Sequence, residues 1–209
     1  MIVSHQHRLI FVKTYKTAGT SIELFLAGRV GPDAIVTPIN PPVDGHEARN
    51  FESTPGNGPG FRNHLPASTL RTSLGADIWR EYTSFCVDRN PWDQVVSTYF
   101  MRKSRNEPSL RWEEFLDRRD FYRNHLSYTD PDDRRRVLVD RVVRYEDLHN
   151  GLGEVFAAVG ISFDGDLGAR AKGEYRTDRR HYRDFYTAEQ AGIVAEELSA
   201  EIALNHYSF

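Results

Sequence analysis

Cysteine is almost absent from this chain of 209 residues, which has a single residue of that type, Cys86. One cysteine cannot form an internal disulfide, which is the usual situation in a reducing cytoplasm. Because Cys86 lies inside the apolar run at residues 85–87, we expect a buried structural thiol, since a free cysteine behaves as a small hydrophobic residue. The cysteine content therefore favours a cytoplasmic protein.

Long apolar runs are also missing, and the one nearest the start covers residues 9–12. A membrane span needs about 20 apolar residues. The first residues lack the cationic stretch and long apolar core of a secretory signal, so we expect neither a leader nor a transmembrane segment.

The net charge of −3 gives no overall basic field for nucleic acid. No group of cysteines and histidines has metal-ligand spacing, so no metal is expected.

The composition that remains, 39% apolar and 27% charged, is that of one globular domain spanning residues 1–209. Strand-like segments alternate with helical ones, which predicts an α/β fold with a central parallel sheet flanked by helices. The expected strands cover 8–12, 85–88 and 140–145, and the expected helices cover 20–28, 91–102 and 148–159, with further helices from about Pro66 and from Thr187, where Gln190 completes a capping box.

A long segment rich in proline and glycine, residues 29–65, interrupts this alternation. Seven of the ten prolines lie between Pro32 and Pro66. Long loops without their own secondary structure are uncommon in compact domains and are often functional. We expect a loop insertion here, either functional or a simple surface excursion.

The first motif, KTYKTAGTSIELFL at residues 13–26, runs from a strand through small residues into a helix. The first N–H groups of a helix have no partners within it, and the helix dipole places partial positive charge there, so this arrangement predicts an anion site. We expect Gly19 to let the backbone approach a phosphate and Lys16 to supply a charge. Hydroxyl donors would come from Thr17, Thr20 and Ser21.

This segment is not the phosphate loop of nucleoside triphosphatases, GxxxxGK[ST], because its lysine precedes the glycine and the opening glycine is missing.

The second motif, CVDRNPWDQVVSTYF at residues 86–100, places Arg89 at a strand end and Ser97 on the second turn of the next helix. A guanidinium fork beside a hydroxyl suits a phosphate monoester.

KTAGTS followed by RNPWDQVVSTY resembles the 5′-phosphosulfate loop and the 3′-phosphate motif of the sulfotransferases, which use 3′-phosphoadenosine 5′-phosphosulfate (PAPS) as donor. The later segment VVRYEDL is also similar to a recurring segment of that family. The chain departs from the commonest form of the first motif by having Tyr15 where a proline often precedes the lysine. The resemblance implies the P-loop-like sulfotransferase fold, a soluble, bacterial-type enzyme and no metal requirement.

Carried onto this sequence, the resemblance implies that Lys16 contacts the bridging oxygen of the leaving 5′-phosphate. The 5′-phosphate would be held by Thr17, Ala18, Gly19, Thr20 and Ser21, and the 3′-phosphate by Arg89 and Ser97. A late loop often closes over the donor in this family, and Lys172 and Arg176 are the candidates here, with a solvated basic surface as the alternative.

Sulfuryl transfer also needs a base to take the proton of the acceptor hydroxyl, and a neutral imidazole suits this role. Of eight histidines we choose His64, which lies between the two motifs and resembles the catalytic base of carbohydrate sulfotransferases. His46 is the second choice, and His181 could lie over the donor.

The expected acceptor is a hydroxyl on a glycan, a glycolipid or a small metabolite. Residues 29–65 and the helix after Arg105 would line its site, where Trp112, Phe121 and Tyr122 could stack on a sugar or belong to the core. Two other functions stay open. A nucleotide or small-molecule kinase with a degenerate P-loop would need a magnesium-binding carboxylate at a strand end, and a non-catalytic module would bind nucleotide without turnover.

Overall fold

The structure is a computed structural model that describes residues 1–54, 58–168 and 175–209. Its centre is a five-stranded sheet, whose strands are β1 (Ile2–Ser4), β2 (Leu9–Val12), β3 (Ile35–Val36), β6 (Thr83–Asp88) and β7 (Arg141–Arg144). Their order across the sheet is β3-β1-β2-β6-β7. A separate hairpin pairs β4 (Ser53–Thr54) with β5 (Gly58–Pro59).

The sheet is mixed. The three strands expected from the sequence, β2, β6 and β7, are parallel as predicted. Two short strands that the sequence analysis did not identify, β1 and β3, extend this sheet in antiparallel pairing. The prediction of an α/β fold with helices around a central sheet is therefore confirmed, and its parallel character holds for the three strands that carry the motifs.

Both faces of the sheet are covered because apolar side chains occur at every position of β2. Leu9 and Phe11 pack on one face with α1 (Gly19–Ala27) and α7 (Leu148–Ala158). Ile10 and Val12 pack on the other face together with Cys86, which is fully buried as predicted. A strand buried on both faces reads as a continuous apolar run, which is why β2 was visible in the sequence.

The remaining helices are α2 (Ala67–Leu74), α3 (Ala76–Glu81), α4 (Pro91–Arg105), α5 (Trp112–Asp117), α6 (His125–Tyr128), α8 (Ala188–Glu197) and α9 (Ser199–Asn205). Asn90 caps α4 by accepting a hydrogen bond from the Trp92 backbone, and Thr187 and Gln190 form the expected capping box of α8. The single C-terminal helix that we expected is instead two helices that meet at Leu198.

The described residues of the segment 29–65 make more contacts with the rest of the fold than their composition suggests. The segment contributes β3 to the sheet, and Arg49 pairs with Val36 through the backbone. The Arg49 guanidinium donates to three carbonyl oxygens around the end of α1, those of Ala27, Val30 and Gly31, at 3.0, 3.0 and 3.2 Å. These bonds anchor the segment against α1, and its last residues reach the edge of the sheet where the motifs lie.

Candidate active site

The carboxyl ends of β2, β6 and β7 meet at one edge of the sheet and open into a cavity of about 710 Å³. Crevices at this edge are the usual ligand sites of α/β sheets, and the volume is in the range of small-molecule sites. The cavity brings together the expected site residues that the structure describes. They are His64, Lys16, Thr17, Ala18, Gly19, Thr20, Ser21, Arg89, Ser97 and Arg176. Lys172 lies outside the described residues.

The first motif forms a loop between β2 and α1 with unusual backbone angles. Lys16 and Ala18 have φ values of 63° and 61°, in the left-handed region that non-glycine residues rarely adopt. Such strained residues cost about 1–3 kcal/mol each and cluster at ligand-binding sites. The loop leads directly into the first turn of α1, which begins at Gly19, so N–H groups that have no partner within the helix lie at the cavity.

The structure gives a further reason for glycine at position 19. A Cβ atom at this position would lie 2.9 Å from Cγ and 3.0 Å from Cε of Lys13, closer than side chains pack. The glycine therefore leaves space for the aliphatic part of Lys13, which is buried and forms an ion pair with Glu23 inside α1. Burying both charges together avoids the large cost of an isolated buried charge.

Arg89 is held in place at the end of β6 by three hydrogen bonds and an aromatic ring. Its Nε and Nη2 donate to Oδ2 of Asp93 at 3.0 and 2.7 Å, and its Nη1 donates to the carbonyl oxygen of Lys16 at 3.0 Å. The guanidinium carbon lies 4.1 Å from the ring centre of Tyr145. The bond to Lys16 joins the two motifs, which lie 73 residues apart in the chain.

Asp93 connects this arginine to the late segment. Its second oxygen, Oδ1, accepts from Nη1 of Arg176 at 2.9 Å. Arg176 in turn donates to the carbonyl oxygens of Asp178 and Arg180, which fixes the local backbone. One carboxylate therefore orients two guanidinium groups that line the cavity.

The segment VVRYEDL packs against the second motif and bonds to it, a role that was not predicted from the sequence. Tyr145 follows β7 and its ring lies under Arg89, while Oε1 of Glu146 accepts from the backbone N–H of Asn90 at 2.7 Å. Asp147 accepts from the side chain of Asn150 at 2.6 Å. The acidic residues after β7 are thus engaged in structural bonds, and neither of these two lines the cavity.

Ser97 lines the cavity on the second turn of α4. A serine inside a helix often bonds the carbonyl four residues back. In the described part of the chain, that bond is made by the neighbouring Thr98, whose hydroxyl donates to the Gln94 carbonyl at 2.9 Å, and Ser97 makes no such bond. Thr17 also lines the cavity, and its hydroxyl lies 2.8 Å from that of Thr14.

His64 lies at the wall of the same cavity in a left-handed conformation, with φ of 60°. Its Nδ1 donates to the carbonyl oxygen of Lys13 at 3.1 Å, so the proton of the neutral ring is on Nδ1 and the lone pair is on Nε2. Among the described residues, no hydrogen bond is made to Nε2. Burial, and then the positive charges of Lys13 and the Met1 amino group, lower the pKa of His64 to about 4.

The other candidate histidines lie elsewhere. Nε2 of His46 is 2.8 Å from the carbonyl oxygen of Thr37, and His181 caps a short helical turn, Tyr182–Phe185. Neither lines the cavity. His149 does line it and was not identified from the sequence, because its position after β7 shows no motif.

The aromatic candidates for the acceptor separate into two groups. Trp112 packs against Tyr99 and Phe115, and Phe121 is buried against Phe115, so both belong to the core. Tyr122 lines the cavity and stacks on Tyr15.

The charge of the cavity wall is strongly positive. Among the described residues that line the cavity, one, Asp166, has a carboxylate. Six have a lysine or arginine side chain: Lys13, Lys16, Arg89, Arg105, Arg176 and Arg179. A wall of this kind, with hydroxyls and helix N–H groups, suits a ligand that carries several negative charges.

A comparison with solved structures finds the same architecture in the mouse sulfotransferase SULT7A1, whose crystal structure is a complex with PAP. The match covers 98% of this chain and 89% of the mouse chain, with a TM-score of 0.58 and 17% sequence identity. The chain has the sulfotransferase fold. The prediction of a P-loop-like sulfotransferase fold is therefore confirmed.

A second similarity is to an uncharacterized protein of Archaeoglobus fulgidus. The two sequences are 32% identical over 106 residues, which is 49% of this chain and 88% of the archaeal one. This chain and the archaeal protein belong to one family. No protein-family profile matches the chain. Within the described residues, no helix is long and apolar enough to cross a membrane.

Proposed function

We propose that this protein transfers a sulfuryl group from PAPS to an acceptor hydroxyl. The observation that carries the proposal is the convergence of Lys16, Arg89 and His64 on one cavity, although they come from three distant parts of the chain. Each has a chemical group that the reaction needs. Lys16 has a cation for the leaving phosphate, Arg89 has a guanidinium group for the 3′-phosphate, and His64 has a base for the acceptor hydroxyl.

Donor binding would use the two ends of the cavity. The N–H groups at Ala18 and Gly19, with Thr20 and Ser21, would hold the 5′-phosphosulfate at the start of α1. Arg89 and Ser97 would hold the 3′-phosphate. Arg176 lies close enough to share Asp93 with Arg89, so it would add charge at the same end. Lys172 stays a candidate from the sequence for the loop that closes over the donor.

The chemical step is an in-line displacement at sulfur. The acceptor oxygen forms a bond to sulfur while the bond from sulfur to the 5′-phosphate oxygen breaks, and adenosine 3′,5′-bisphosphate leaves. Negative charge grows on that phosphate oxygen, and Lys16 and the helix start would stabilise it. Nε2 of His64 would accept the proton that the acceptor hydroxyl loses.

The acceptor that we propose is a hydroxyl of a carbohydrate or glycolipid. Tyr122 offers an aromatic surface, and Asn40 and Asn63 line the same cavity. Rings and amides are the groups with which proteins commonly position polar, ring-shaped ligands. A panel of acceptors from different chemical classes tests this assignment.

Calorimetric titration without metal tests the donor first. We expect micromolar or tighter binding of adenosine 3′,5′-bisphosphate and much weaker binding of ATP with magnesium. The reverse order would contradict the proposal and favour a kinase. The carboxylates after β7 argue against that alternative, because Glu146 and Asp147 are hydrogen-bonded within the fold.

A comparison of two ligands isolates the 3′-phosphate site. Adenosine 5′-phosphate lacks the 3′-phosphate, so Arg89→Ala should weaken the bisphosphate by about tenfold or more and leave the monophosphate within about twofold. Arg80→Ala is the matched control, because Arg80 is an exposed arginine on α3 paired with Asp77. An equal loss for both ligands would contradict the 3′-phosphate role.

Turnover separates an enzyme from a binding module. Formation of adenosine 3′,5′-bisphosphate from PAPS can be followed chromatographically with panels of glycans, glycolipids and small hydroxyl compounds. Product that depends on one acceptor class supports the proposed reaction. Tight bisphosphate binding without acceptor-dependent turnover in any panel would favour the non-catalytic module.

A further inference from the structure

Three rings are stacked in parallel beside the donor loop. Tyr15 lies in the middle, with its ring centre 3.9 Å from that of His64 at an interplanar angle of 6°. Its other face lies on Tyr122, with ring centres 4.2 Å apart and an angle of 1°. All three residues line the cavity. We call this arrangement, Tyr122–Tyr15–His64, the ring stack.

Hydrogen bonds connect the segment that contains Tyr15 to the segment that contains Tyr122. The side chain of Asn124 makes two bonds to the backbone of Tyr15: Oδ1 accepts from the Tyr15 N–H at 2.8 Å, and Nδ2 donates to the Tyr15 carbonyl at 2.9 Å. Asn124 is fully buried and lies two residues after Tyr122. The same short segment therefore holds the Tyr15 backbone and supplies the outer ring.

Tyr15 is the position at which this chain departs from the commonest form of the first motif. A proline there would have no N–H to donate to Asn124 and no flat ring to place against His64. The two ring contacts of Tyr15 and its N–H bond to Asn124 would therefore be lost with a proline at this position.

We propose that Tyr15 and Tyr122 are positioning residues for the base, holding the His64 ring so that Nε2 presents its lone pair to the cavity. This inference rests on the proposed function, in which His64 accepts the acceptor proton. Stacking fixes the plane of the imidazole, and the bond from Nδ1 to the Lys13 carbonyl fixes its rotation within that plane. A base held by both constraints loses little freedom when the acceptor arrives.

The charged groups around the stack do not give Tyr15 a proton-transfer role of its own. Burial, and then Tyr122, raise the pKa of Tyr15, while Arg62 acts in the opposite direction. The phenol is therefore protonated at neutral pH. On the His64 side, the neighbouring charges are Lys13, Glu23 and the Met1 amino group. The contribution of Tyr15 is geometric.

The test is a nuclear magnetic resonance measurement on protein with ¹⁵N-labelled histidine, in which ring nitrogen shifts report the tautomer of His64 directly. The native protein should show a proton on Nδ1 and none on Nε2. Tyr15→Leu should give a mixture of both tautomers, while Tyr15→Phe, which keeps the ring, should retain the native signature. Tyr82→Leu is the control, because Tyr82 contacts a different histidine, His5, at 2.8 Å.

Tyr122→Leu is the second variant, since it removes the outer ring and keeps the Asn124 bonds to Tyr15. It should also give a mixture of tautomers. If both leucine variants kept the single Nδ1 tautomer, the proposal would be overturned. It would also be overturned if Tyr15→Phe gave the same mixture of tautomers as Tyr15→Leu. Circular dichroism checks that each variant is folded.

This experiment needs no acceptor, so its failure is distinct from failure of the proposed function. Titration of the same variants with adenosine 3′,5′-bisphosphate reports the donor site separately, and we expect affinities within about twofold of native. If the native protein does not bind the bisphosphate, the proposed function fails whatever the tautomer. If it binds while the leucine variants keep the native tautomer, only the positioning role fails.

Discussion

Lys16 is the residue whose charge the proposed chemistry uses most directly. It lies in the strained loop before α1, with its ammonium nitrogen 5.8 Å from the ring centre of Tyr175. Lys16→Ala should lower turnover of PAPS by about 10²–10³-fold, because charge develops on the leaving phosphate in the transition state. The affinity for adenosine 3′,5′-bisphosphate should fall far less.

Lys103→Ala is the matched control for this measurement, since Lys103 is exposed near the end of α4 and does not line the cavity. Steady-state rates and calorimetric affinities are measured on both variants. Native turnover in Lys16→Ala would contradict the assignment of this lysine to the leaving group.

The lowered pKa of His64 leads to a prediction about pH. A base must be unprotonated to act, and with a pKa of about 4 the imidazole of His64 is unprotonated from neutral pH down to about pH 5. Turnover should therefore be nearly constant over that range and should fall about tenfold for each unit below pH 4. Turnover measured with a fixed acceptor, with circular dichroism at each pH, checks this.

Replacement of the base gives the companion result. His64→Gln should abolish the acid limb together with most of the rate, and His46→Gln should leave both unchanged, because His46 bonds the Thr37 carbonyl outside the cavity. A native profile in His64→Gln would move the base to another residue.

Single residues also show where sequence reasoning stops. Lys16, Arg89, Ser97 and His64 could be chosen from the sequence because they occur next to strand ends and helix starts, where short-range patterns are strong. The partner of Lys13, Glu23, could not be chosen, because it is one charge in an apolar helix and its meaning comes from burial. The ring stack likewise depends on contacts that span 49 and 107 positions, from Tyr15 to His64 and to Tyr122.

At the scale of elements, Asp93 couples α4 to the segment that follows residue 175. It orients Arg89 through two bonds and Arg176 through one. Asp93→Asn and Arg176→Ala should each weaken binding of adenosine 3′,5′-bisphosphate by about three- to tenfold. The double variant should bind the bisphosphate about as tightly as the weaker-binding of the two single variants, because both changes break the same contact.

The double-mutant cycle measures this coupling by calorimetry, and residues in one hydrogen-bonded network typically couple by about 0.5–3 kcal/mol. An exposed pair on α3, Asp77 and Arg80, serves as a control cycle, since side chains that are largely exposed interact weakly. Strictly multiplicative losses for Asp93 and Arg176 would show that the bridge does not matter to the ligand.

Elements differed in how visible they were in the sequence. The strands β2 and β6 were predicted because they are buried and continuous, and α4 because Asn90, Pro91 and Asp93 form a strong start signal. The strand β3 has two residues, and its place in the sheet is fixed by pairing with β1 and by the anchoring bonds of Arg49. Such a strand has no pattern of its own, so residues 29–65 were expected to form a loop.

For the molecule as a whole, the buried carboxylate Asp88 joins three distant elements. It ends β6 and accepts from the hydroxyl of Tyr128 on α6 at 2.8 Å and from the side chain of Asn205 on α9 at 2.6 Å. Burial is the main reason why the pKa of Asp88 is raised to about 6. The folded chain therefore holds a proton on this group over a range in which the unfolded chain has lost it.

The sign of the resulting pH dependence follows from linkage. Between about pH 4 and pH 6 the folded state binds more protons at Asp88, so this group makes the free energy of unfolding smaller as pH rises. The lowered pKa of His64 acts in the opposite direction over a similar range, because there the unfolded state binds more protons. A comparison with a variant is needed to separate them.

Asp88→Asn removes the titrating group. Relative to the native protein, its free energy of unfolding should become larger by about 2–3 kcal/mol between pH 4 and pH 7, whatever the difference at pH 4. Urea unfolding of both proteins at several pH values measures this change. A pH-independent difference between them would show that Asp88 is ionised in the folded state throughout.

The position of β7 at the end of the described sheet has a consequence for solubility. An outer strand presents unpaired backbone groups that can recruit a strand from another molecule, and natural proteins often prevent this with charge. β7 starts and ends with an exposed arginine, Arg141 and Arg144, around two valines. The guanidinium groups that flank this border would repel a second copy of the same strand, so the sheet is protected against growing into an aggregate.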